Sequence, residues 1–438
     1  MKLIIKNKQQ HYELLKYNNF YVFLINTQSK TTFVSSYLNH GMADETKSNA
    51  GISHLLEHIS TDGWDKCKES CTDYWKKHGT SMNAWTFQTG VGYHINGLKE
   101  FQYKMVDYII SISCNPRIKN TRVIKEKKAV HQELLNHKSD PDYDLYNLAN
   151  KNIFSLEGMQ LQDNCDSNIK NLNKLNVKMI EAWKEKYYGS GNTIFVVSGS
   201  FSFNKMKAFM KQKLNKYPIK CTVKQHSHFF KPGFKLDYVK SKASEYSTIF
   251  LSFYNNYNLG NINYYKILFL DALLNRGSSA SILMYELREK RSLIYNCKFY
   301  TFDTAYGTQV LIEIQCLHKN IKPILKTSID VFDKIKNNGY DNSIFKSVKN
   351  VILTDTYEKC LNNNTIADFY GNQIINQIHE KNIKIFNRKM LIDFMNNITK
   401  KDISEFAKET LNYSNLKITY SSTSDVVGLE NFVKKLLK

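Results

Sequence analysis

The sequence predicts an α+β protein of two homologous domains, each a largely antiparallel sheet with helices packed on one face. Three observations lead there. The chain has 438 residues, more than one hydrophobic core usually organises. It also repeats itself. Met179-Ile-Glu-Ala-Trp183 through Asn192 aligns without gaps on Asp402-Ile-Ser-Glu-Phe406 through Asn415, at an offset of 223 residues. Each copy reads as an amphipathic helix, a turn, an apolar strand (193–197 and 416–420) and a Lys-rich closing helix, and so large a period argues for duplicated domains rather than a solenoid. Finally, strands at 21–25, 32–38 and 248–254 are followed by helices and strands in no regular alternation, an α+β signature. The boundary falls where Pro218, Pro232 and Gly233 interrupt a polar, basic stretch. The expected domains are 1–217 and 238–438, joined by a linker of about 218–237.

In the first half, Gly41, Asp44, Glu45 and Gly51 lead into His54-Leu55-Leu56-Glu57-His58. Positions i, i+3 and i+4 share one face of an α-helix. His54 and His58 can therefore reach one metal ion while Glu57 handles a proton from the attacking water, the elements of a catalytic zinc site. H-x-x-E-H is the inverzincin order of this motif. The bland alternative is an amphipathic helix, apolar through Ile52, Leu55 and Leu56, whose histidines are merely solvated.

Two histidines leave a catalytic zinc short of a protein ligand. Residues 120–135 read as a helix through Val123, Val130 and Leu134. Glu126 and Glu133 lie two turns apart on one face of it, so one can bind metal while the other orients a histidine. Without further context, a Glu pair on a Lys-rich helix would be a solvated face.

Spacing adds that context. Glu133 stands 75 residues after His58, with Glu126 seven before it. This resembles the M16 peptidases, the family of pitrilysin, insulin-degrading enzyme and the mitochondrial processing peptidase. The resemblance implies that His54, His58 and Glu133 bind one Zn²⁺ per chain, that Glu57 is the general base, and that Glu126 is a supporting carboxylate. His131 competes by chemistry, but it lies off the Glu126/Glu133 face and the family pattern does not use it. Gly79-Thr-Ser-Met-Asn83-Ala84-Trp-Thr86 resembles the family's substrate-holding strand, which implies peptide contacts at Asn83 and Ala84. Tyr93 keeps the family's aromatic, whereas Val91 replaces a usual Thr. Trp183 through Gly199 resembles the family's close of this domain.

In the second half, Tyr264 through Leu274 occupies the place of the zinc helix but contains no H-x-x-E-H, so metal is expected in the first domain alone. Ser278-Ser279 through Leu287-Arg288-Glu289 and on to Tyr295 resembles a family segment whose Arg and Tyr reach the scissile peptide. Arg288 and Tyr295 match that spacing. A guanidinium can hold a carbonyl or carboxylate, and a phenol can donate to a developing oxyanion. The alternative is a basic helix end beside a core tyrosine.

A net charge of +21 would suit nucleic acid, acidic lipid or acidic peptides. The lysines are dispersed, however, without an arginine-rich arm, zinc finger or RNA-binding aromatic motif, so codon bias toward Lys, Asn and Ile is the simpler account. Eight scattered cysteines read as reduced thiols, and Cys67 with Cys71 has no C-x-x-C partner. No run approaches membrane-spanning length, the N-terminus is neither signal peptide nor presequence, and the expected location is cytoplasmic. The expected activity is zinc-dependent hydrolysis of peptides or unfolded segments. Because the resemblance implies bowl-like halves enclosing the substrate, one chain would form half of a clamshell. A homodimer is then expected ahead of a heterodimer with a related subunit. A catalytically silent M16-like subunit is the main alternative, and a basic nucleic-acid-associated protein the lesser one.

Overall fold

The computed structural model describes every residue except 10, 68–69, 221–225, 227, 242–245, 276–280, 359–361 and 381; the side chain of Tyr295 also lies outside the described residues. The chain divides into two compact units. The first comprises Met1–Asn136, Glu157–Ser227 and Lys359–Ile385; the second comprises His137–Leu156, His228–Glu358 and Phe386–Lys438.

The first unit holds strands β1 (Lys2–Asn7), β2 (Tyr12–Tyr17), β3 (Phe20–Asn26), β4 (Thr31–Leu38), β5 (Ser81–Thr86), β6 (Val91–Leu98) and β7 (Thr193–Gly199). They form one sheet in the order β1-β2-β3-β7-β4-β6-β5, parallel only where β3 meets β7. β1 and β2 precede the first strand expected from sequence. In the second unit, β8 (Lys235–Lys240), β9 (Tyr246–Asn255), β10 (Ile294–Thr304), β11 (Gly307–Leu317) and β12 (Lys417–Ser422) make a sheet in the order β10-β11-β9-β12-β8. Only β12 and β8 run parallel there. Both sheets are thus largely antiparallel.

The helices, in chain order, are α1 (Ile52–Ser60), α2 (Cys71–Lys76), α3 (Gln102–Cys114), α4 (Asn120–Lys138), α5 (Tyr143–Ile153), α6 (Glu157–Leu161), α7 (Cys165–Lys174), α8 (Val177–Tyr187) and α9 (Phe203–Leu214). There follow α10 (Ile267–Leu274), α11 (Ile282–Met284), α12 (Ile321–Lys336), α13 (Asn342–Glu358), α14 (Asn363–Ile375), α15 (Arg388–Asn397), α16 (Lys400–Thr410) and α17 (Leu429–Leu436). The duplication holds element by element: α8 and α16 coincide to the residue at an offset of 223, and β7 and β12 nearly so. None of the described helices is long and apolar enough to cross a membrane.

The expected contiguous domains, 1–217 and 238–438, differ from the observed units, because each half of the sequence lends a helix to the sheet of the other. In the first unit's sheet, Phe20, Val22, Leu24, Val34 and Val197 face the core that includes α1, α3, α8 and α9. Their neighbours Tyr21, Phe23, Ile25, Phe33 and Val196 face α14 through Ala367, Tyr370 and Ile374. Successive side chains on a strand point to opposite faces, and here both faces are buried. Polar bonds fix the same helix: Tyr37 donates to Asp368 at 2.7 Å and Thr27 to Asn363 at 2.7 Å.

In the second unit the lent helix is α5. Leu145 and Ala149 pack with Phe250 and Leu311, while the other parity of β9 sends Phe253 against Phe332 of α12, ring centroids 5.7 Å apart. Shifted by 223 residues, α5 falls on 366–376, on top of α14, so the lent helix belongs to the duplication. The expected single helical face therefore describes only the helices native to each half.

The expectation of thiols throughout also needs correction. Cys67 and Cys71 are disulfide-bonded, with Cα atoms 5.2 Å apart, because the chain leaving α1 returns to start α2 within bridging distance. Cys114, Cys165, Cys297 and Cys316 are buried and outside this disulfide; Cys221 and Cys360 lie outside the described residues.

Candidate metal centre

The site is built on two helices of the first unit. Gly51 starts α1 with φ +90°, a left-handed conformation that costs glycine little. Glu45, from the preceding turn, accepts from the backbone N–H groups of Gly51 (2.7 Å) and Ser53 (2.8 Å), two donors that no helix start can satisfy internally. Ile52, Leu55, Leu56 and Ile59 are buried on one side of α1, which leaves His54 and His58 on the other.

His54, His58 and Glu133 bring one ligand atom each within 4.8 Å of one another, forming the one such group among the described residues. The Nε2 atoms of the two histidines are 3.1 Å apart, and Oε2 of Glu133 is 3.5 Å from each. Nδ1 of His58 lies 3.1 Å from Oε2 of Glu126. With the proton on Nδ1 and donated to Glu126, the Nε2 lone pair is left toward the cluster, as a metal ligand requires. Burial, helped by the neighbouring His58, lowers His54 to about 4, so its imidazole is neutral at pH 7. Burial would lower His58 too, but its hydrogen bond to Glu126 and the nearby carboxylates outweigh it and raise its pKa. Two imidazoles and one carboxylate converging on one point fit a zinc ion, with room for a fourth, non-protein ligand.

Glu57 is buried, and burial raises its pKa to about 7, with a smaller push from Glu133; Thr86 and His58 act the other way. A carboxyl poised near neutrality suits proton transfer. Glu126 shows the opposite balance: burial would raise it, but His58 and Arg122 hold it below its usual range.

Among the described strands, β5 is the edge of the sheet and pairs with β6. It places Asn83 exposed and Ala84 half-buried, and ends at Thr86, whose hydroxyl donates to Oε2 of Glu57 at 2.7 Å. His131 is half-buried on α4, outside the ligand cluster. Arg288 belongs to the second unit, in a π-helical turn, Tyr285–Glu289, that follows α11. Tyr295 is in β10; its side chain and Ser278-Ser279 are outside the described residues. Of the residues singled out from sequence, the structure brings His54, Glu57, His58, Glu126 and Glu133 together. Sequence reading gave no role to Thr86, Glu45, Arg122 or Asp62. Their contacts join residues far apart in the chain, and only the capping signal of a carboxylate ahead of a helix could have singled out Glu45.

The family model described as insulinase (peptidase family M16) matches residues 21–162, and the one described as the peptidase M16 inactive domain matches residues 174–352. The chain is 22% identical over 311 residues to a Bacillus subtilis (strain 168) protein named uncharacterized zinc protease YmxG, covering 69% of this chain and 74% of that one. It is 25% identical over 185 residues to the mitochondrial ubiquinol-cytochrome-c reductase complex core protein I of Euglena gracilis, covering 41% of this chain and 37% of that one. In fold it is similar to the crystal structure of a peptidase M16 inactive domain from Pseudomonas fluorescens (TM-score 0.81, 13% identity, 95% and 99% of the two chains). It is also similar to that of a protease from Helicobacter pylori (TM-score 0.80, 15% identity, 94% and 100%). The half with His54 and His58 and the duplicated half each match their own M16 model in chain order, and the fold is similar to M16 structures: the chain belongs to the M16 peptidase family.

Proposed function

We propose that this protein is a zinc-dependent endopeptidase acting on peptides or unfolded segments. The observation that carries the proposal is the convergence of His54, His58 and Glu133 beside a buried Glu57 whose pKa sits near 7. His54, His58 and Glu133 would hold the ion. When bound, zinc supplies Lewis acidity toward a water molecule and toward the scissile carbonyl. Glu57 removes the water's proton and passes it to the departing amine. Thr86 fixes which oxygen of Glu57 is free to do so, because the other accepts its hydroxyl. Glu126 aligns His58. A peptide laid along the free edge of β5, past Asn83 and Ala84, would be bound by main-chain hydrogen bonds, making selection tolerant of sequence. Arg288 and Tyr295 would contribute a guanidinium for the peptide backbone or terminus and a phenol for the developing oxyanion. A homodimer is the assembly proposed, since one chain carries both sets of residues.

The test compares wild type with Glu57→Gln for zinc content and for cleavage of an unstructured peptide, with and without chelator. The expected result is one zinc per chain in both proteins, with cleavage by wild type alone and none after chelation. Stoichiometric zinc without cleavage by wild type would favour the second reading, a catalytically silent partner subunit. That reading draws support from the likeness to core protein I of the ubiquinol-cytochrome-c reductase complex.

A further inference from the structure

We infer that Arg122, held by Asp62, is a positioning residue that sets the affinity of the zinc site, an inference resting on the metallopeptidase reading above. Both ligand-bearing helices meet in a ring of charged groups. Nδ1 of His58 on α1 is 3.1 Å from Oε2 of Glu126 on α4. Oε1 of the same carboxylate is 3.2 Å from Nε of Arg122, one turn earlier on α4, an ion pair whose N–H is not aimed straight at the oxygen. Nη1 of Arg122 lies 2.5 Å from Oδ2 of Asp62, two residues beyond the end of α1. Oδ1 of Asp62 accepts the backbone N–H of Cys71, the first residue of α2, at 2.7 Å. The ring thus leaves α1 at His58, crosses to α4 through Glu126 and Arg122, and returns to the foot of α1 through Asp62.

Burial distinguishes this ring from a surface ion pair, which would contribute little. The Asp62 and Glu126 side chains are 9% and 8% exposed, so each charge depends on its partner, and removing one strands the others. Geometry supplies the function. α1 carries His54 and His58, and α4 carries Glu133, so whatever fixes α4 against α1 fixes the spacing of all three ligands. Arg122 does this twice: it orients Glu126 on His58, and it ties α4 to the turn that follows α1. Carboxylates bonded to metal-bound histidines commonly change metal affinity 10–100-fold when removed, and Arg122 acts through such a carboxylate.

The experiment measures the zinc dissociation constant by competition with a colorimetric chelator, alongside melting curves with and without zinc, for wild type, Arg122→Met, Arg122→Lys, Asp62→Asn, Glu126→Gln and the Arg122→Met/Glu126→Gln double variant. Arg122→Met is expected to weaken zinc roughly 10-fold, with Arg122→Lys intermediate because an ammonium cannot span both carboxylates as a fork. The double variant should bind zinc no more weakly than the weaker single, since both changes break one device. If Arg122→Met does not fold, Asp62→Asn carries the same expectation. A lowered melting temperature with unchanged zinc affinity, or effects of Arg122→Met and Glu126→Gln that multiply, would overturn the inference while leaving the metallopeptidase reading intact. Failure of wild type itself to bind zinc would overturn both.

Discussion

Thr86 Oγ1 donates a 2.7 Å hydrogen bond to Glu57 Oε2, so the edge strand and the helix bearing both histidines meet at one carboxylate. The bond favours the ionised form of Glu57, against burial, which raises its pKa to about 7. Thr86→Val removes the donor and keeps the shape. Glu57 should then hold its proton to higher pH, and the acid limb of kcat/KM should move upward by roughly one pH unit, as expected from losing a hydrogen bond to a charged group. Thr86→Ser should leave the limb in place. An unmoved limb in Thr86→Val would show that the bond does not tune the base.

The same carboxyl makes a prediction for the metal-free protein. An acid whose folded pKa lies above its ordinary value of 4.5 destabilises the fold once it must ionise. The penalty is absent below pH 4.5, grows as pH rises toward about 7, and is complete above it. Glu57→Gln escapes it. In excess chelator the variant should be more stable than wild type at pH 8, by at most about 3 kcal/mol, and the advantage should vanish near pH 4. Urea melts at both pH values measure this, and an advantage independent of pH would rule out Glu57 as its source.

Among the described residues, Glu45 is the side chain that caps the start of α1, through Gly51 and Ser53. Glu45→Ala leaves two backbone donors without that acceptor in a buried setting, a loss of about 1–3 kcal/mol. The zinc-loaded protein should melt several degrees lower, roughly 2–4 °C per kcal/mol for a unit of this size. Amide exchange should quicken in the first turn of α1, before it does in α3. Unchanged exchange there would mean that the helix start is held by something else.

How much of this was legible in the sequence follows from the range of each interaction. His54, His58 and Glu133 were legible as candidate ligands because the histidines obey a local helical period and because the distance from His58 to Glu133 resembles the M16 pattern; the face shared by Glu126 and Glu133 would alone have read as solvated. The duplication was legible because α8 and α16 keep their apolar positions at one offset. The exchange of α5 and α14 was not read, since an amphipathic helix announces that it has a buried face without saying which sheet buries it. A signal was nevertheless present. Phe20-Tyr-Val-Phe-Leu-Ile25 is apolar at every position rather than at alternate ones, the mark of a strand covered on both faces. Arg122 and Asp62 gave no such signal: on a chain of net charge +21, one arginine beside one aspartate 60 residues away is invisible until the fold joins them.

The lent helix α14 carries the last prediction. Gly371 lies against the ring of Tyr37, so a Cβ there would stand 2.2 Å from Cε2. Tyr37 cannot easily yield: it is buried on β4, and its hydroxyl is tied to Asp368 of α14 itself. Alanine at 371 would gain up to about 1 kcal/mol in helix propensity, yet overpacking a rigid interface costs about 1–3 kcal/mol, so Gly371→Ala should be neutral to destabilising and the bulkier Gly371→Val clearly destabilising. The loss should appear as faster amide exchange in β4 and β7, the strands that α14 covers, and not in β9 or β11. Replacing Tyr37 with Leu should restore part of the stability of Gly371→Val, because the two changes share one contact. Exchange that quickens instead in the second unit would mean that α14 does not belong to the sheet carrying the metal site. A change at residue 371, far along the chain from His54, His58 and Glu133, should therefore loosen the first unit rather than its own half of the sequence.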